Sequence, residues 1–370
     1  MYSEEALYSI ALRRCPLIGD VIFRKLVQKA GSAEEVWKLS KSGLTNIQGI
    51  GKRISQEIGN DDHLRFAEKE LKFCEKNNIK ILLRNQNELP PLLRECDDAP
   101  SILYLKGNLD SSISPLSIVG TRNITAYGKK FVQDFLENLP SRRMMTISGL
   151  ALGADSEVHA KSLDNTIKTV AVLAHGFHTL YPAKNRNLSE QILENGGALV
   201  TEFNSSQKPD RENFIQRNRI IAGFSPATII VETAFGGGSV STATFANMYN
   251  REVFALPGKI TDRYSQGCNM LIAQNKAATI STIKDLIEQL GLNDNIEKTG
   301  QLFPKSEIKI NLPENQQTIY DEILKNPNIS LDQLVENLDL STSKILPVLL
   351  ELELSGYIKS LSGRQFLANL

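Results

Sequence analysis

Between Ile79 and Leu290 short, β-rich apolar runs alternate with helical stretches, and several of the runs end on glycine-containing turns. The runs are Leu116–Val119, Met145–Ile147, Thr169–Leu173, Ala198–Val200, Thr228–Val231 and Glu252–Ala255. Strands separated by helices are joined by crossovers, which lay the helices over the sheet faces. The alternation therefore predicts an α/β fold, a mainly parallel, doubly wound Rossmann-like sheet. Such sheets collect ligands at the carboxyl ends of their strands. The unusual residues fall there: Gly120-Thr121-Arg122 after one run, Ser148-Gly149 after the next, and Gly236-Gly237-Gly238-Ser239 after a later one.

The flanks have a different texture. Residues 1–76 carry helical apolar spacing broken by two similar turns, Pro16-Leu17-Ile18-Gly19 and Ile47-Gln48-Gly49-Ile50-Gly51, which predicts a helical helix-hairpin-helix or SAM-like domain. The second turn either packs two helices or offers helix-opening amides to a phosphate. The Rossmann-like domain is expected over 77–290 and a polar, aperiodic linker over 291–314. A winged helix is expected over 315–370: helices Asn315–Lys325, Ser330–Leu338 and Ser341–Ser355, with Ser330 and Ser341 as N-caps, then a hairpin around Ser362-Gly363. Its third helix is acidic and apolar with one early lysine, which favours protein contact over DNA.

Composition narrows the function. The 370 residues are 41% hydrophobic and 23% charged, too many for one ordinary core and too polar for a membrane protein. No apolar run approaches the roughly 18–20 residues of a membrane span, and the start, MYSEEALYSIALRRCP, lacks the basic-then-apolar order of a secretory signal, so a cytoplasmic protein is expected. Cys15, Cys74, Cys96 and Cys268 are scattered and form no CxxC pair, which suggests neither disulfides nor zinc. Lys+Arg and Asp+Glu each count 42, excluding a protein that holds nucleic acid by bulk positive charge. A local basic site is still open, because the field at a phosphate depends on where charges sit.

Several segments can build such a site. GTRNITAYG can aim backbone amides, the Thr121 hydroxyl and the Arg122 guanidinium at one phosphate. It is not GxGxxG, and GxxxxGK[ST] is absent, so neither a dinucleotide nor an ATP cofactor is expected. In SGLALGAD, Asp155 reads as a first-turn carboxylate favouring a helix dipole. His175 and His178 flank a glycine in a loop, a poor arrangement for a metal. Lys184, beside Asn185 and after Tyr181-Pro182, could meet a phosphate while the tyrosine ring meets a base. In FIQRNRIIAGFS, Phe214 precedes Arg217, Asn218 and Arg219; the arginines either contact phosphate or form structural ion pairs, with Glu202 or Glu232 as partners. Gly237, Gly238 and Ser239 open a helix as an anion-holding turn.

In order along the chain, SIVGTRNITAYG, TISGLALGADSEVHA, LYPAKNRNL, TEF with FIQRNRIIAGFS, ETAFGGGSVSTA and FALPGKITDRYSQGCNMLI resemble the DNA processing protein A family, DprA or Smf. The resemblance implies a non-enzymatic binder of single-stranded DNA that forms a homodimer through its Rossmann-like domain, protects incoming strands and loads the recombinase RecA in natural transformation. It also implies that Arg122, Lys184, Arg217 and Arg219 are the basic strand contacts, with Gly149 and the 237–239 turn shaping the pocket. The sequence departs from the family in AHGFHTLYP, where a glycine-rich turn with an acidic residue is usual, and in GGGSVST, which replaces SGSLxT. The alternative is an enzyme resembling nucleoside-monophosphate phosphoribohydrolases, but their PGGxGTxxE turn ends here in Thr and Ala instead of the working Glu.

Overall fold

Six helices open the chain: α1 (Glu4–Arg14), α2 (Asp20–Ala30), α3 (Ala33–Lys38), α4 (Lys41–Thr45), α5 (Lys52–Glu57) and α6 (Asp61–Lys76). Side chains of Ser3, Ser32, Ser40 and Asn60 accept from the first-turn amides of α1, α3, α4 and α6, supplying partners that the helix ends lack. The two turns seen in the sequence join α1 to α2 and α4 to α5. Leu12, Phe23, Leu26, Val36 and Leu44 form the core of this segment. A second seam, with Ala6, Ile10 and Ala67, continues onto Ile79, Ile81 and Tyr104 of the adjoining sheet. This computed structural model describes residues 3–139, 144–292, 312–326, 329–361 and 365–368.

The sheet comprises β1 (Ile79–Leu83), β2 (Ile102–Gly107), β3 (Ser114–Val119), β4 (Met144–Ser148), β5 (Lys168–Val172), β6 (Ala198–Thr201), β7 (Ala227–Ile230), β8 (Glu252–Ala255) and β9 (Ala278–Thr279), in the order β1-β2-β6-β5-β4-β3-β7-β8-β9. From β6 across to β9 all pairings are parallel. β1 and β2 add an antiparallel edge beside β6, which the apolar runs did not announce. Between the strands lie α7 (Pro91–Glu95), α8 (Ala126–Glu137), α9 (Ala154–Asp164), α10 (Arg186–Glu194), α11 (Arg211–Phe224), α12 (Gly238–Met248) and α13 (Gln266–Ala273), and α14 (Ile283–Gln289) follows the last strand.

Alternation along the strands feeds two cores. Val119, Ile147, Val172, Ile230 and Ala255 pack with α11–α13, while Ile118, Met144, Ile229 and Phe254 pack with α8 and α14. The fold is therefore a doubly wound α/β sheet with a helical N-terminus, as the sequence predicts.

The second unit, Asn295–Leu370, has its own core of Ile319, Ile323, Leu334, Ile345, Leu349 and Leu352. It contains α15 (Glu314–Lys325), α16 (Leu331–Leu338), α17 (Thr342–Leu354) and a small sheet β10 (Ile329–Ser330), β11 (Ile358–Leu361), β12 (Gln365–Ala368) in the order β10-β12-β11, a winged helix. Ser330 and Gln333 form a reciprocal capping box on α16. Ser341 holds the N-cap position of α17, but its hydroxyl pairs with Ser343 rather than with a backbone amide. The hairpin turn at Ser362-Gly363 and most of the expected linker lie outside the described residues.

Candidate nucleic-acid interface

Strand order decides where a ligand can sit. From β3 the chain winds through β4, β5 and β6 on one side, then returns to place β7, β8 and β9 on the other. The connections leaving β3 and β7 therefore diverge, opening a crevice at the switch point. A cleft of about 840 Å³ lies there, lined by the β3 turn, α11 and the residues running from β7 into α12.

The β3 turn is held tightly. A side chain at Gly120 would stand 2.7 Å from Ala154 Cβ and 3.1 Å from the Glu232 carbonyl, so only glycine lets β3, β7 and α9 converge. Glu232, buried after β7, accepts from the Thr125 amide at 2.8 Å and its hydroxyl at 2.6 Å. That leaves Thr121 and Arg122 at the cleft. Arg122 is exposed, has no acidic partner among the described residues, and lies over the Phe214 ring at 5.0 Å.

Arg217 plays a different part. It is 3% exposed, donates to the Gly149 carbonyl at 2.6 Å and also to the Val172 carbonyl, and lies 5.7 Å from the Phe214 ring centre. Burial pulls its guanidinium down to about 10, opposed by the charge of Asp155. Asp155 is in turn pushed up by burial, opposed by Arg217 and by hydrogen bonds that include the Ala151 amide at 3.3 Å. A Cβ at Gly149 would fall 2.6 Å from the Arg217 guanidinium, so that glycine is space for the arginine. Arg217 is thus the cleft floor, its donors largely spent on the protein.

The start of α12 also lines the cleft. Gly237 is the N-cap of α12 and offers no side-chain cap, so the first amides of an 11-residue helix have no intrahelical acceptor. Ser239 is 7% exposed and its hydroxyl has no hydrogen-bond partner, although it lines the cleft. Asn218 donates to the Gly238 carbonyl at 3.3 Å and to Ser241 Oγ at 2.9 Å, tying α11 to this turn.

The cleft thus gathers Gly120, Thr121, Arg122, Phe214, Arg217, Asn218, Gly237, Gly238 and Ser239. Five residues anticipated in the sequence are not brought to it: Gly149, buried where it makes space for Arg217, and four others. Ser148 donates to the Ile118 carbonyl at 2.7 Å, and Asn185 donates to the Leu150 carbonyl at 2.8 Å and to Ser156 at 2.9 Å. Lys184 is exposed outside the lining. Arg219 turns toward the N-terminal helices, where it pairs with Glu202 and with Asp20 at 3.4 Å, and donates to the Asp98 carbonyl. Two arginines two apart on a helix point about 200° apart, so one can serve the cleft and the other the α2 seam.

Arg211 lines the cleft unanticipated. A cation at the first position of α11 opposes the helix dipole, and that mismatch is its signal in the sequence. The histidines are otherwise engaged: His175 Nε2 accepts from the Tyr181 amide at 3.1 Å, and His178 packs on Phe73 with ring centres 4.4 Å apart. Among the described residues there is no cluster suited to a metal ion, and no helix is long and apolar enough to cross a membrane.

Comparison with known proteins agrees with this architecture. The family described as DNA recombination-mediator protein A matches residues 80–291, and the DprA winged helix domain matches 304–364. Protein Smf of Synechocystis sp. is 34% identical over 300 residues, spanning 79% of this chain and 74% of that protein. DNA processing protein DprA of Bacillus subtilis is 36% identical over 217 residues, 58% and 72% of the two chains. The X-ray structure of DprA from Streptococcus pneumoniae superposes with a TM-score of 0.66 at 28% identity, covering 78% of this chain and 98% of that one. A Helicobacter pylori DprA structure, described for its single-stranded DNA binding mode, gives 0.52 at 26% identity over 57% and 95%. With a crevice at the switch point, glycines where backbones converge and more than half of its length matched, the chain belongs to the DNA recombination-mediator protein A family.

Proposed function

We propose that this protein binds single-stranded DNA without chemically altering it, protects incoming strands and loads RecA on them in natural transformation or recombination, working as a cytoplasmic homodimer. The observation that carries the reading is the cleft itself: an exposed Arg122, helix-opening amides beside an unpartnered Ser239 hydroxyl, and aromatic rings at one strand-end crevice. This is the chemistry of a backbone-tracking, sequence-tolerant strand site. The family kinship and the strand-binding H. pylori relative support it. Fluorescence anisotropy with a labelled oligothymidylate tests binding, and strand-exchange assays with RecA test loading. Release of free base from nucleoside monophosphates at ordinary enzyme rates would overturn the non-enzymatic reading.

Few cations face the cleft, so affinity should fall only gently with salt. For two to four phosphates neutralised per protomer, the slope of log K against log[salt] should be about −1.4 to −2.8, taking roughly −0.7 per phosphate on single strands. Titrations at several salt concentrations measure it, and a much steeper slope would mean a wider basic footprint. Two protomers acting on one strand would supply the missing affinity. The apolar Met270-Leu271-Ile272 segment is a candidate for such an interface, since Leu271 is core while Met270 and Ile272 are only half-buried against it.

The winged helix reads as a protein-contact module. Its α17 exposes Leu346, Leu350 and Leu354 one turn apart and carries Glu351 and Glu353, a face that phosphates would not favour. Truncation after residue 294 is expected to leave oligothymidylate affinity within about threefold of the full chain, read in the same anisotropy assay; a tenfold loss (about 1.4 kcal/mol) would assign the module to DNA.

A further inference from the structure

Phe214, a ring that lines the cleft, is already engaged. Arg122 lies over it at 5.0 Å, Arg217 at 5.7 Å, and the Tyr181 ring meets it edge-on at 5.8 Å. It is half-buried and works as the packing surface that holds Arg122 in place. A strand in the cleft therefore finds its open apolar surface elsewhere.

That surface is Phe235. It is 73% exposed, the most open aromatic side chain among the described residues, and it makes no ring or cation contact there. The ring itself lies outside the cleft lining, but its neighbours Ala234 and Gly236 both belong to that lining, as do the exposed apolar side chains Tyr181 at 44% and Ile215 at 49%. The ring sits at the tip of a turn closed by the Gly237 amide donating to the Ala234 carbonyl at 2.9 Å, with Gly236 at φ +68°. Behind the turn, the Thr233 amide donates to the Tyr264 carbonyl at 2.7 Å and the Thr233 carbonyl accepts from the Gly267 amide at 2.9 Å. A large apolar ring on a braced turn is costly to leave in water and needs little backbone ordering to bind.

We propose that Phe235 is a nucleobase-stacking subsite, taking the base next to the phosphate seated on the opening amides of α12. The subsite rests on the single-strand reading above. Its logic is a division of labour within one turn: Gly237–Ser239 hold the backbone, and Phe235, two residues earlier, holds a base whose identity does not matter, because every base has a π-face.

Anisotropy with labelled oligothymidylate tests it. Base–aromatic stacking of about 1–3 kcal/mol predicts that Phe235→Ala weakens binding about 5- to 150-fold, with the salt slope unchanged because no charge is removed. Phe235→Tyr should bind like the wild type, and Phe235→Leu should resemble the alanine variant. Circular dichroism melts should be the same for all, since the ring is exposed. In Phe235→Trp, emission should be quenched on saturation with oligothymidylate; the native Trp37 lies among the N-terminal helices and supplies the constant background. Wild-type binding with Phe235→Ala within twofold of it, or emission of the Phe235→Trp variant that stays unquenched at saturation, would overturn the subsite while leaving the strand-binding function standing. No binding by the wild type would overturn the function and the subsite with it.

Discussion

Arg217→Met is expected to lower the unfolding free energy by about 3–5 kcal/mol, the usual cost of removing one member of a buried charge pair. The arginine satisfies the carbonyls of Gly149 and Val172 and offsets the buried Asp155 carboxylate. Methionine approximates its length but leaves the two carbonyls without that donor and the Asp155 carboxylate without its nearby positive charge in a water-poor floor. Urea denaturation measures the loss. Adding Asp155→Asn should recover part of it, because the neutral amide no longer needs a counter-charge, and a double-mutant cycle reads that coupling. Loss of DNA binding with full stability would instead show Arg217 to be a strand contact. Lys184→Ala, by comparison, changes an exposed side chain and should alter stability by no more than about 0.5 kcal/mol.

The second large effect concerns affinity. Arg122→Ala should weaken oligothymidylate binding about 10- to 150-fold, since a hydrogen bond to a charged group contributes about 1.5–3 kcal/mol. The fold should be intact, because Arg122 is exposed and packs on the face of one ring. Lys184→Ala should add only a small, salt-sensitive decrement, as that side chain stands outside the lining. Affinity of the doubly substituted protein that matches the wild type at equal salt would remove this cleft from the function.

Much of the architecture was legible because the signals are local. Each of the six apolar runs lies on one of β3 to β8, within a residue or two of its ends, and the Gly120 and Gly237–Ser239 turns fall at the cleft. The antiparallel edge was not legible. β1 alternates between buried and less buried positions at the rim of the sheet, and its partner β2 follows only after a short helical turn and α7. Within FIQRNRIIAGFS the residue types pointed to two arginines with partners, and the two proved to have different ones. Glu202 takes Arg219 in an ion pair, whereas Glu232 holds the Thr125 turn that opens α8 and Arg217 takes the cleft floor.

What the sequence determined by itself was the class of fold, the winged helix, and the strand-end turns, because hydrophobic periodicity, caps and glycines act over a few residues. It also determined neutrality, 42 cations against 42 anions, and so excluded a broadly basic surface. Only the tertiary structure decided which cations remain available. Arg122 and Arg211 face the cleft, Arg217 is spent on two carbonyls beneath it, and Arg219 is locked to Glu202 on the other side of the same helix. A charge's availability depends on burial and on partners brought from 45 or 68 residues away, as with Val172 and Gly149. Such distant residues become neighbours only after the sheet has closed around them.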